Sequence, residues 1–126
     1  YPYPLLTTLA TQDDDLVYSL TRVISENYDD FKDSDPGAIG WALESQVFEW
    51  VVPYHAGSVN FWREIGVWTD ETEAHNQALI KRQEVLALAW TEMVARGISD
   101  QDAFVQAWQQ LRGQRLEEAG YDPVWR

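Results

Sequence analysis

The sequence offers few side chains that could act as a nucleophile, a base or a metal ligand. It contains no cysteine and two histidines, His55 and His75, so thiolate catalysis and thiolate metal sites are excluded. His55 lies close in sequence to Ser58 and Glu64, which could supply a serine–histidine nucleophile or a histidine–carboxylate acid–base pair. Either arrangement requires the paired side chains to lie in one concave pocket within hydrogen-bonding distance.

Other features of the sequence argue against catalysis at His55. The chain has no G-x-S-x-G and no H-E-x-x-H segment, the patterns that place a nucleophilic serine or a zinc ion. A loop histidine among aromatic residues more often forms a structural hydrogen bond, so we interpret His55 as part of a structural corner. We interpret His75, which lies among Glu71, Glu73 and Asn76, as a surface residue. We therefore predict no catalytic, cofactor-binding or metal-binding residue.

The acidic residues form the other candidate for chemistry. Asp13, Asp14 and Asp15 are consecutive, whereas a calcium loop spaces its acidic ligands and includes a glycine and a final glutamate. Three adjacent aspartates are more typical of the first turn of a helix, where the helix dipole favours anions. The net charge of −12 argues against nucleic acid and anionic membranes as partners, because both are bound through basic patches.

Apolar residues recur at intervals of three and four along most of the chain, a pattern typical of amphipathic helices. We predict a helix over 11–31, a short helix or two turns over 38–49, and a helix over 58–65. Two long helices follow, over 70–96 and 100–119, and glycines at 66, 97 and 120 are expected to end the last three helices. Residues 1–11, with prolines at 2 and 4, are predicted to form an extended segment or a strand.

The predicted fold is mainly α-helical, and its two long helices should form an antiparallel αα-hairpin because their connection is short. We expect Phe104, Trp108 and Leu111 to face Val85, Ala89 and Met93. The seven Trp, six Tyr and four Phe exceed what a small helical body readily buries. An apolar patch, self-association and binding of a hydrophobic dye are therefore expected.

Two segments carry a resemblance to a known family. The segment VYSLT and the later PYHAGSVNFWREIGVW resemble the C-terminal part of a TAXI-family solute receptor, the extracytoplasmic substrate-binding protein of a TRAP transporter. Ala56 and Ser58 depart from the Pro and Ala usual in the family, and Phe61 and Trp62 replace paired tyrosines. The matching positions are Val17, Tyr18, Leu20, Thr21, Pro53, His55, Gly57, Glu64, Gly66 and Trp68.

The resemblance implies that the chain is the C-terminal portion of a two-lobe α/β periplasmic-binding-protein-like fold, with 1–68 as the family-like segment and 69–126 as a helical hairpin extension. It implies a non-catalytic receptor, periplasmic or otherwise extracytoplasmic, that delivers a small organic anion or amino-acid-like solute to TRAP membrane subunits. The motif Pro53, His55, Gly57, Glu64, Gly66 and Trp68 is expected to be structural. No ligand contact is predicted, and these residues alone are expected to lack affinity for small carboxylates.

Two other functions fit the sequence. The chain could be a self-standing helical interaction or oligomerisation module, in which the hairpin mediates association through Trp90 and Trp108. It could also be a small helical enzyme that uses His55 and Glu64, a hypothesis that requires both side chains in one pocket. We rank the enzyme last.

Overall fold

The computed structural model describes residues 5–124 and is mainly helical, which confirms the predicted fold class. No strand is present between Leu5 and Val124, and residues 5–9 have no regular secondary structure. The strand alternative for 1–11 is therefore wrong for the described part of that segment, and residues 1–4 lie outside the described residues. The physical reason is that a single apolar segment has no second strand with which to form ladder hydrogen bonds.

Five α-helices and two short 3₁₀ turns make up the described chain. The helices are α1 (Asp14–Glu26), α2 (Tyr28–Phe31), α3 (Ala56–Glu64), α4 (Asp70–Ala95) and α5 (Gln101–Glu118), and the 3₁₀ turns are Pro36–Trp41 and Leu43–Ser45. The helix predicted over 11–31 is therefore two helices, and the two-turn alternative for 38–49 is confirmed.

Local side-chain hydrogen bonds explain where the helices begin. The Asp13 carboxylate accepts from the Leu16 N–H at 2.9 Å, so Asp13 caps α1 in place of the predicted Thr11. In the same way Asp100 caps α5 in place of Ser99. Aspartate is a strong N-cap because its side chain satisfies a free backbone N–H of the first turn.

The breaks and ends of the helices have equally local causes. Asn27 separates α1 from α2, and its side-chain amide donates to the Val23 carbonyl at 2.8 Å. Gly66, Gly97 and Gly120 all have positive φ, between 64° and 80°, a conformation that glycine adopts without strain at a helix C-terminus. The predicted glycine terminators are therefore confirmed.

The chain divides into two compact units, residues 1–76 and 77–126, and the boundary falls inside α4. In the first unit α1 packs against α3. Its core consists of aromatic rings in edge-on and tilted contacts, with Phe48 central and 5.5 Å from Trp62 and 5.8 Å from Trp68 between ring centroids. The buried members are Val59, Phe61, Trp62 and Trp68, with Tyr18, Phe48, Tyr54 and Val67 packed against them.

The second unit has its own core, formed where α4 and α5 meet. Ala89, Met93 and Leu111 are buried together, with Phe104 and Trp108 packed against them. This confirms the predicted contacts of Ala89 and Met93, whereas Val85 is not part of this cluster. At the edge of this core the Trp90 ring lies 5.8 Å from Phe104 and 5.2 Å from Trp108 between centroids.

An ion pair joins the two helices beside that core. The Arg115 guanidinium donates to the Glu92 carboxylate at 2.9 Å. Hydrogen bonds from Arg115 and Arg96 hold the pKa of Glu92 below its usual range, because both favour the ionised carboxylate.

Candidate functional site

The first unit is built on a close crossing of α1 and α3 at Gly57. A Cβ placed on Gly57 would lie 2.3 Å from the Asp14 carbonyl oxygen and 2.8 Å from the Tyr18 nitrogen. Both atoms belong to the backbone of α1, so only a residue without a side chain allows the helices to approach this closely. The glycine of the later motif thus lies directly against the first segment of the resemblance.

Two polar contacts extend this crossing along α1. Thr21 Oγ1 lies 2.8 Å from Ser58 Oγ, and the Tyr18 hydroxyl donates to the Glu64 carboxylate. The hydrogen bond to Glu64 raises the pKa of Tyr18, because it favours the protonated phenol. The structure therefore brings together residues that lie far apart in the sequence and that were singled out in both segments.

His55 is the N-cap of α3, a role that the sequence prediction missed. Its Nδ1 accepts a hydrogen bond from the Gly57 N–H at 3.1 Å, and its side chain is 9% exposed. Because Nδ1 is the acceptor, the neutral ring carries its proton on Nε2, and Nε2 is buried with no hydrogen-bond partner. Asp14 Oδ1 lies 3.7 Å from Nδ1, so the ring sits between the starts of α1 and α3.

The pairs required by the enzyme hypothesis do not form in the part of the chain that the structure describes. Ser58 is hydrogen-bonded to Thr21, Glu64 is hydrogen-bonded to Tyr18, and His55 is hydrogen-bonded to the α3 backbone. Across residues 5–124 the structure also contains no group of three or more histidine or acidic side chains that could hold a metal ion.

Replacing His55 by alanine is expected to destabilise the first unit by about 1–2 kcal/mol, because the cap of α3 and the packing of the ring are both lost. His55→Asn should recover much of this loss, since asparagine is among the strongest N-caps. Urea denaturation of both variants measures the difference. Equal stability of His55→Ala and the unsubstituted chain would contradict a structural role for His55.

The remaining motif residues lie around α3 and the start of α4. Gly66 ends α3 with a φ of 78°, and Pro53 lies in the loop that precedes His55. The Trp68 indole donates to Glu73 Oε2 at 2.7 Å, and Arg63 donates to the same oxygen at 2.7 Å. These contacts connect the end of α3 to the first turn of α4.

Two polar residues of α4 hold the loop before His55, and the sequence prediction missed both. Asn76 is buried, and its Oδ1 accepts from the Tyr54 N–H at 2.8 Å. His75 is half-buried and donates from Nε2 to the Trp50 carbonyl at 2.7 Å, so its interpretation as a surface residue is wrong. The available signal was the non-helical loop itself, since backbone groups outside helices and strands need other hydrogen-bond partners.

An open cavity of about 380 Å³ lies beside the crossing of α1 and α3. Apolar side chains from α1, from the 3₁₀ region and from the loop before α3 form most of its wall. Among the described residues, no Asp, Glu, Lys or Arg lines it. Its polar lining residues are Thr7, Thr8, Gln12, Thr21, Ser25, Ser45, Gln46, Tyr54, His55 and Ser58. Burial raises the pKa of Tyr54, so this phenol stays neutral at physiological pH.

Comparison with known proteins bears on this same part of the chain. A family model described as the NMT1-like family matches residues 4–66, which is half of the chain. The matched range contains α1, the 3₁₀ region, α3 and the cavity between them. No curated protein and no solved structure shows significant similarity to the chain. Of the helices between Leu5 and Val124, none has the length and apolar character needed to cross a bilayer.

Proposed function

Because the chain belongs to the NMT1-like family, a periplasmic substrate-binding-like family, we propose that it forms part of a receptor that binds a small solute outside the cytoplasm. The family is one of binding proteins that are typically extracytoplasmic and generally not enzymes. The proposed role is therefore recognition of a solute without chemical conversion.

The observation that carries this proposal is the cavity of the first unit. Its volume of about 380 Å³ falls within the range of small-molecule sites, which are mostly apolar with a few polar groups. It also lies within the residues matched by the family. The buried aromatic cluster and the tight crossing at Gly57 provide a rigid wall, and such preorganisation reduces the entropy lost on binding.

The finer assignment is a TAXI-type receptor that delivers a small organic anion or amino-acid-like solute to TRAP membrane subunits. It rests on the motif Pro53, His55, Gly57, Glu64, Gly66 and Trp68 and on its spacing in the sequence. The contacts of Gly57 and Glu64 with α1 support a structural role for that motif. In this proposal 1–68 is the family-like segment and 69–126 is a helical extension.

A specific observation favours a second function, association through the second unit. Leu88, Trp90 and Val94 are exposed on α4, and Val105 is exposed on α5. Exposed apolar residues on neighbouring helical turns are typical of an interaction surface. We therefore keep self-association of the chain as the alternative proposal.

Solute binding can be tested by calorimetric titration of the 126-residue chain with a panel of small amino acids, organic acids and neutral compounds. We expect saturable binding of at least one compound. Leu20→Trp should weaken it at least tenfold, because the larger ring fills the cavity that Leu20 lines. Val23→Trp is the matched control, since Leu20 and Val23 are 45% and 56% exposed on the same helix but Val23 does not line the cavity. Absence of saturable binding across the panel would contradict the proposal.

A further inference from the structure

We propose that the cavity of the first unit receives an uncharged, mainly apolar group that carries a hydrogen-bond donor, such as a primary amide or an alcohol, and discriminates against a carboxylate. This inference rests on the proposed solute-binding function and specifies the chemistry that this chain contributes. An ionised group on the same solute would have to be neutralised outside this cavity.

The first argument is the charge of the wall. Charged residues make up 24% of the chain, yet the described residues that line the cavity include no Asp, Glu, Lys or Arg. The Asp14 carboxylate, whose Oδ1 lies 3.7 Å from Nδ1 of the lining residue His55, is negative and offers no countercharge to a carboxylate. An ion that enters a largely apolar cavity loses hydration, and without a countercharge this loss is not compensated.

The Nδ1 atom of His55 is not available to a solute in this arrangement. This nitrogen accepts from the Gly57 N–H at 3.1 Å, and an acceptor nitrogen cannot carry a proton. Nδ1 is therefore occupied by the cap of α3, and Nε2 is buried without a partner.

Two residues of the wall, Ser58 and Gln46, keep lone pairs that no hydrogen bond of the described residues uses. Thr21 donates to the Val17 carbonyl at 2.8 Å, so the 2.8 Å contact between Thr21 and Ser58 requires Ser58 to be the donor. Ser58 has then used its only hydrogen and retains lone pairs. Gln46 donates through Nε2 to the Gly40 and Ala42 carbonyls at 3.1 and 3.0 Å, which leaves its Oε1 as an acceptor.

Both positions therefore offer acceptors, and two further lining residues, His55 and Trp62, have buried ring N–H groups without a partner. A neutral amide or hydroxyl can donate to Ser58 or Gln46, whereas a carboxylate has no hydrogen to donate at pH 7. An amide or a hydroxyl can also accept from the two ring N–H groups, so it can use both kinds of group, whereas a carboxylate can use the donors alone. The other threonine and serine hydroxyls that line the cavity can donate or accept, but they carry no net charge to balance a carboxylate.

The test compares two molecules of the same shape, 3-phenylpropionamide and 3-phenylpropionate, by calorimetric titration of the whole chain at pH 7.5. We expect the amide to bind saturably and at least tenfold more tightly than the carboxylate. Ser58→Ala should weaken amide binding at least threefold by removing an acceptor. Ser19→Ala, an exposed substitution on α1, is the control, and circular dichroism verifies that both variants fold.

The outcomes separate this inference from the proposed function. Equal or tighter binding of the carboxylate, abolished by Leu20→Trp, would overturn the inference and leave solute binding intact. If the amide does not bind while other solutes bind in the cavity, the inference is also overturned and solute binding remains intact. Failure of every solute to bind would overturn the proposed function and this inference with it.

Discussion

Replacement of Gly57 by alanine is expected to destabilise the first unit by about 3 kcal/mol or more. The new Cβ would lie 2.3 Å from the Asp14 carbonyl oxygen, 2.8 Å from the Tyr18 nitrogen and 2.9 Å from the Val17 Cβ. Two of these atoms belong to the α1 backbone, so no change of side-chain rotamer can relieve the overlap.

The strain at Gly57 would spread because α1 and α3 must separate to relieve it. Their separation would break the Thr21–Ser58 and Tyr18–Glu64 hydrogen bonds and open the core beneath Phe61. Urea denaturation followed by near-ultraviolet circular dichroism measures the loss, since this signal reports on the packed aromatic rings.

Two other glycines provide matched controls for the same substitution. Gly66→Ala has open space around the new methyl but a φ of 78°, so it should cost about 1 kcal/mol from backbone strain alone. Gly113→Ala places its methyl 3.7 Å from the Pro123 Cβ inside α5, and it should be neutral or stabilising by up to about 1 kcal/mol. If Gly57→Ala is no less stable than Gly66→Ala, the close crossing is not as described.

Truncation of Met93 to alanine is expected to destabilise the second unit by about 2–4 kcal/mol. Met93 is 0% exposed and packs with Ala89 and Leu111 where α4 meets α5. The shorter side chain would leave a void between these helices. The unit has a small core, so few neighbouring side chains are available to fill that void.

Leu88→Ala is the matched control, because it lies on the same helix and is 74% exposed. It removes a side chain of similar size, yet it should change the free energy of unfolding by less than about 0.5 kcal/mol. Hydrogen exchange of the α5 amides reports the stability of the second unit, so it measures the effect of both substitutions there. Unchanged protection of α5 in Met93→Ala would show that the Met93 contact does not stabilise the unit.

The helical class and the approximate position of each main helix were predictable from the amino-acid pattern. Apolar spacing of three and four residues identified the packing faces of α4 and α5, including Met93 and Leu111. Gly66, Gly97 and Gly120 were predictable as helix ends, because positive φ is a property of the residue and its immediate neighbours. The family resemblance placed the first half of the chain among solute-binding proteins, and the NMT1-like match agrees at that level.

Competition among neighbouring residues determined where each helix begins and ends, which the apolar spacing alone did not resolve. Asp13 and Asp100 compete with Thr11 and Ser99 for the cap positions, and each residue is compatible with a helix start. At the end of α1 the side-chain amide and the backbone N–H of Asn27 both donate to the Val23 carbonyl. Alternative cap residues differ little in free energy, and this small difference sets the helix end to within one or two residues.

How the two resembling segments meet and what they enclose depends on contacts between distant parts of the chain. That Gly57 must be glycine follows from the backbone of α1, which lies far away in the sequence. The burial of Asn76 and the contact of His75 follow from a loop whose backbone groups needed partners. The uncharged wall of the cavity combines residues from α1, the 3₁₀ region and α3. These properties belong to pairs of distant residues, and local propensity contains no information about which distant residues will become neighbours.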